Sequence, residues 1–84
     1  MTEDKAIPYL KIHPEDNVLV ALKDIPSGTT LLFENEPLIL PQDVAAKHKF
    51  FINNMAEGEK VIMYGALVGK VQSKIPKGGL MTSA

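Results

Sequence analysis

Ile25-Pro26-Ser27-Gly28-Thr29-Thr30-Leu31 is the stretch that decides the fold class. It reads as an apolar residue, two residues, Gly, two residues and an apolar residue. The chain writes the same phrase again as Met55-Ala56-Glu57-Gly58-Glu59-Lys60-Val61 and as Ile75-Pro76-Lys77-Gly78-Gly79-Leu80-Met81. Gly takes positive φ without steric strain, so each copy predicts a tight reversal between two apolar strands. In two copies a Pro follows the leading Ile, fixing φ and forbidding a continuing helix or central strand. The phrase predicts a compact all-β domain, with Gly28, Gly58, Gly65, Gly69 and Gly78 as its structural turns.

Working outward, residues 1–6 are expected to be disordered and residues 7–84 to form the domain. Ile7 to Ile12 suits a first strand that Pro8 keeps at an edge. The polar turn His13-Pro14-Glu15-Asp16-Asn17 leads into Val18-Leu19-Val20-Ala21-Leu22, which is apolar on both faces and reads as the most buried strand. Thr29–Phe33 and Leu38–Ile39–Leu40 follow as strands around Glu34-Asn35-Glu36-Pro37. Gln42–Ala46 has room for one helical turn at most. His48–Asn53, Val61–Tyr64, Ala66–Val68 with Val71, and Leu80–Met81 complete seven or eight short strands, the pattern of a small barrel or folded ribbon.

Eighty-four residues make one domain, and 45% hydrophobic against 23% charged residues is the balance of a folded globule. Nine basic and ten acidic residues leave a net charge of −1, which argues against a nucleic-acid binder. The chain has no cysteine, so disulfides and thiolate metal sites are excluded. The polar start lacks the layout of a signal peptide, and no apolar run is long enough to span a bilayer. These features together predict a cytoplasmic protein with no membrane partner. The ending Gly78-Gly79-Leu80-Met81-Thr82-Ser83-Ala84 lacks a charged tail and reads as the edge of a domain cut from a longer polypeptide, with a natural small subunit as the alternative.

The order of several motifs resembles one family. His13-Pro14-Glu15-Asp16-Asn17-Val18, Val20-Ala21-Leu22, Asp24-Ile25-Pro26 and Gly28-Thr29 resemble the opening of the altronate dehydratases. His48-Lys49-Phe50 is similar to that family's Gly-His-Lys-Phe segment. Glu57-Gly58-Glu59-Lys60-Val61-Ile62, Tyr64-Gly65, Val68-Gly69, Ile75 and Gly78 are similar to the block after it. The resemblance implies an N-terminal SAF-type β-clip domain, related to type III antifreeze proteins and to the small subunit of sulfolactate sulfo-lyase. It also implies lyase chemistry on a sugar acid, beside a larger catalytic domain or subunit that holds a divalent metal, typically iron. Two departures stand out: Lys47 replaces the family's Gly before His-Lys, and Met81 to Ala84 stand where several members carry Val-His-x-His-Asn.

Eliminating water from an aldonate takes a base, a cation to stabilise the enolate and an acid for the departing hydroxyl. With only His13 and His48, and no carboxylates at metal-binding spacing, the chain is not expected to hold a complete active site or a cofactor of its own. His48 and Lys49, preceded by Lys47, concentrate positive charge at a strand entrance where a carboxylate could be held; a solvated strand end is the plainer alternative. Tyr64 could set a phenol near a cleft or pack half-buried. Asp16 and Asn17 read as turn caps, and His13 as an exposed turn residue. Lys70, Lys74 and Lys77 read as a solvated face. The leading expectation is an accessory domain with His48, Lys49 and Tyr64 on the substrate. A stand-alone binding module for a small carboxylic acid is the second, and a homo-oligomer interface through exposed Phe50, Phe51 or Met63 is the third.

Overall fold

The computed structural model describes residues 7–81, all of them strand, bridge, turn or loop. The expectation for residues 1–6, and that for the positions of the absent terminal histidines at 82–84, lie outside the described residues. Among the described residues no helix is long and apolar enough to cross a membrane. The strands are β1 (Tyr9–Leu10), β2 (Val18–Ala21), β3 (Thr30–Phe33), β4 (Glu36–Ile39), β5 (Lys49–Phe51), β6 (Lys60–Met63), β7 (Ala66–Lys70) and β8 (Leu80–Met81). β1-β2-β5-β8 form one antiparallel sheet, while β3–β4 and β6–β7 are separate two-stranded hairpins. The domain is all-β, as the turn phrase predicts.

Each glycine phrase is an i to i+3 turn with positive φ at its third residue. The Thr29 N–H donates to Pro26 O, Glu59 N–H to Ala56 O and Gly79 N–H to Pro76 O (3.2, 3.1 and 2.8 Å), with Gly28, Gly58 and Gly78 at φ of 83, 87 and 84°. This is the signature of a type II turn, which demands positive φ at that position. The path contains a fourth such turn that the sequence disguises. Around Val44-Ala45-Ala46-Lys47, His48 N–H donates to Ala45 O at 3.0 Å and Lys47 stands at φ 75°. The helical turn expected over Gln42–Ala46 is therefore absent. Val44 instead exchanges both backbone bonds with Ile25 at 2.8 Å, as Met55 does with Ile75 at 2.7 and 2.9 Å.

These pairs expose a duplicated path. Gly28 and Gly58, Glu34 and Tyr64, and Asn35 and Gly65 share positive φ at a spacing of 30 residues, and Lys47 and Gly78 at 31. The extra residue enters at a β-bulge: Val61 pairs with Gly69 and Ile62 with Leu67, leaving Val68 unpaired. Gly69 accordingly lies inside β7 and does not turn the chain, a correction to its expected role. Glu34-Asn35 and Tyr64-Gly65, with two successive positive φ values, are type I′ hairpin tips that match the right-handed strand twist.

Strands come out shorter than the apolar runs. β1 keeps only two residues of Ile7–Ile12 and lies at the sheet edge, as Pro8 requires. Pro37 is accommodated within β4, a strand of a free two-stranded hairpin where a missing N–H costs no ladder bond. The centre is β5. Successive strand residues point to opposite faces, so Phe50 enters one core with Leu19, Ile25, Leu31, Leu38, Leu40 and Val44, and Phe51 enters another with Val18, Met55, Val61 and Val71. Both phenylalanines are sealed, at 0% and 1% exposure, and Met63 is half-buried. The expectation of exposed Phe50 and Phe51 as an oligomer surface is thus corrected: their burial, worth about 1.5–3 kcal/mol each, holds the two halves on one strand.

Each hairpin is closed by a segment ahead of it in the chain. Leu22 N–H donates to Pro8 O at 2.8 Å, and thirty residues on Ile52 N–H donates to Asn17 O at 3.1 Å. Tyr9 follows Pro8 and closes the first hairpin, its hydroxyl donating to Leu32 O at 2.7 Å and its ring meeting Phe33 edge-on at 5.9 Å. The His13–Asn17 loop occupies the corresponding place on the second hairpin.

Candidate functional site

The second closure is made of polar groups. Asn17 holds β6 with three bonds: its backbone N–H donates to Ile62 O (3.1 Å), its Oδ1 accepts from Ile62 N–H (2.9 Å) and its Nδ2 donates to Lys60 O (2.8 Å). Asp16 holds the hairpin tip. Its Oδ1 accepts the Gly65 N–H at 2.8 Å, and its Oδ2 accepts the His13 N–H at 3.1 Å. Pro14 supports the turn that brings them together, in which Asp16 N–H donates to His13 O at 2.9 Å.

Asp16 is the one buried charged residue among those described, at 3% exposure. Burial alone pushes its carboxyl pKa up. The backbone N–H groups of Gly65, Tyr64 and His13, with a smaller pull from the His13 imidazole, outweigh burial and leave it below its ordinary value of 3.8. Asp16 is therefore a carboxylate at neutral pH, and its charge is spent on backbone donors.

His13 is fixed from two sides. Glu15 N–H donates to its Nδ1 at 3.1 Å. Its ring lies flat over Gly65: a Cβ built there would meet Cδ2, Nε2 and Cγ at 2.7, 2.8 and 3.0 Å. Only glycine leaves room for that ring, and φ of 76° suits glycine as well.

The residues expected on the substrate fall in two places. Lys49 opens β5, half-buried between its cross-strand partners Val20 and Met81. His48, exposed, uses its backbone to close the fourth turn and to accept Ala21 N–H at 2.8 Å. Tyr64 stands exposed at the β6–β7 tip, where Asp16 is anchored. Asp16 precedes β2 and Ala21 ends it, so at about 3.3 Å per residue Tyr64 and the His48–Lys49 pair are separated by roughly 15 Å of backbone. The structure brings Tyr64 together with His13 and Asp16, and leaves His48 and Lys49 at the other end of β2. In the linear sequence His13 and Asp16 read as local turn residues, because their partner Gly65 is 49 residues from Asp16; the His-Pro-Glu-Asp-Asn run ahead of a buried strand is the only hint of the pairing.

A groove of about 320 Å³ runs beside the second hairpin, with a mixed lining: apolar Phe51, Val61, Met63 and Ile75, and polar Lys70, Gln72 and Ser73. No group of three or more His, Cys, Asp or Glu side chains among the described residues could hold a metal ion. Asp16 and the Nδ1 of His13 are already engaged by backbone donors, so the described residues do not fit the metal that the family resemblance implies.

Residues 7–84 match the family model described as the altronate/galactarate dehydratase SAF domain. The chain belongs to that family. Among the relatives of this SAF domain, an altronate dehydratase of Escherichia coli (strain K12) is 44% identical over 70 residues, and an altronate dehydratase of Bacillus subtilis (strain 168) is 31% identical over 70 residues. Each alignment covers 83% of this chain and 14% of the relative, so the SAF domain corresponds to about one-seventh of those enzymes.

Proposed function

We propose that this SAF domain is the accessory part of a sugar-acid hydro-lyase of the altronate/galactarate dehydratase type. The observation that carries the reading is the contrast in coverage: the family match takes in residues 7–84, yet the chain accounts for only 14% of each relative. The elimination needs a base, an enolate-stabilising cation and an acid, and the described residues supply no such set. In this reading those groups reside in the larger catalytic part, with the divalent metal, and the reaction takes place in the cytoplasm. The SAF domain packs against that part and helps close the cleft or select the substrate within it. Its rigid, glycine-turned frame suits it to presenting a few side chains at fixed positions.

The test is kinetic. The full-length enzyme is expected to convert altronate or galactarate to a 2-keto-3-deoxy acid, and removal of the SAF domain to lower kcat/KM or blur the choice between the two. The isolated 84 residues are expected to turn over neither. Turnover by the isolated chain, or unchanged kinetics after its removal, refutes the accessory role. Sulfite release from sulfolactate by the full-length enzyme would point to the sulfo-lyase branch instead.

A further inference from the structure

We infer that His13 is the side chain this domain lends to the substrate, its Nε2–H donating a hydrogen bond to a hydroxyl or carboxylate oxygen of an anionic hydroxy acid. The inference rests on the dehydratase reading above and names the residue through which the domain would act. Three observations carry it.

First, the tautomer is set. Nδ1 accepts the Glu15 N–H, so the neutral ring carries its proton on Nε2. That Nε2 forms no hydrogen bond among the described residues. Second, the ring is held in place. It is tethered at Nδ1, stacked on the bare face of Gly65, and its own backbone N–H is tied to Asp16, which also grips Gly65. An exposed side chain with little rotamer freedom left to lose is the arrangement that makes one hydrogen bond count toward binding. His48 has no comparable tether among the described residues: its backbone bonds to Ala45 and Ala21 leave the imidazole unanchored. Third, the neighbourhood fits. Tyr64, next to Gly65 on the same hairpin tip, is exposed, and the carboxylate of Asp16 is consumed by backbone N–H groups and so opposes an incoming anion less than a free one would.

The two imidazole nitrogens can be separated by mutation. In His13→Asn the amide oxygen takes the place of Nδ1 and can keep the Glu15 bond, but nothing replaces Nε2. In His13→Gln the amide reaches the place of Nε2, but the Glu15 bond is lost. Both variants are made in the full-length enzyme and assayed with altronate and galactarate alongside thermal unfolding. His13→Asn is expected to lower kcat/KM at least about tenfold, mainly through KM, with Tm within about 2 °C of wild type. His13→Gln is expected to recover part of that loss despite a lower Tm. Wild-type kinetics in His13→Asn overturns the inference, as does a loss in both variants that simply follows their Tm. If His13→Asn does not fold, His13→Gln is compared with His13→Ala, which also lacks the Glu15 bond but has nothing in the place of Nε2: activity no higher than that of the alanine variant overturns the inference, and activity above it supports the inference. A wild-type enzyme inactive on every sugar acid is a different result, which refutes the dehydratase reading and removes this inference with it.

Discussion

Lys47→Gly should make this protein more stable, although it deletes a charged side chain and touches no core residue. Lys47 occupies the third position of a type II turn at φ 75°, where its three counterparts are glycines at 83, 87 and 84°. A residue with a Cβ pays about 1–2 kcal/mol to stay in the left-handed region. Glycine removes that strain but loses about 0.5–1 kcal/mol more backbone entropy on folding. The difference favours Lys47→Gly by about 0.5–1 kcal/mol, which for a chain of this size is a rise in Tm of about 2–8 °C. Urea and thermal unfolding of the 84-residue chain would measure it, with Lys47→Ala as the control. Alanine keeps the strain and removes the charge, so it is expected within about 0.5 kcal/mol of wild type. If Lys47→Gly is neutral or destabilising, or if Lys47→Ala stabilises equally, the strain argument is wrong and the charge of Lys47 is the operative feature.

Two glycines with nearly the same φ should respond differently to alanine. At Gly28 a Cβ meets nothing within 4 Å, so Gly28→Ala should cost only about 0.5–1 kcal/mol net, the strain of about 1–2 kcal/mol less the backbone entropy that alanine saves. At Gly78 it would lie 2.7 Å from the Ile39 backbone oxygen, so Gly78→Ala should cost at least about 2 kcal/mol more; equal costs in denaturant unfolding would refute this close approach of the turn to β4. Asp16→Asn should destabilise the chain by about 1.5–3 kcal/mol at pH 7, since charge-assisted bonds to Gly65 and His13 are weakened. Because folding lowers the Asp16 pKa, its contribution is complete above the unfolded value near 3.8 and is lost as pH falls through the lower folded value. Wild type should therefore lose its advantage over Asp16→Asn on acidification below that point, and parallel stability curves would show that Asp16 is not the group responsible.

The sequence alone determined the all-β class, the positions of three of the four type II turns and the buried character of the Val18–Leu22 run as far as Ala21, Leu22 itself being exposed. These are local properties: positive φ selects glycine, proline fixes φ, and a strand covered on both faces must be apolar throughout. The family resemblance read from the ordered motifs was likewise a property of the linear chain. The tertiary structure decided what local preference could not express. Lys47 is held in a glycine conformation because its N–H donates to Ala21 O at 2.7 Å and Val44 is locked to Ile25, so contacts elsewhere offset the strain. Phe50 and Phe51 became interior because β5 lies between β2 and β8, a neighbourhood set by strand pairing and invisible in a His-Lys-Phe-Phe string. The regrouping of Tyr64 with His13 and Asp16, away from His48 and Lys49, has the same origin: hydrogen bonds that span nearly fifty residues depend on where the hairpins dock, and no local rule of φ, ψ or hydrophobic period carries that information.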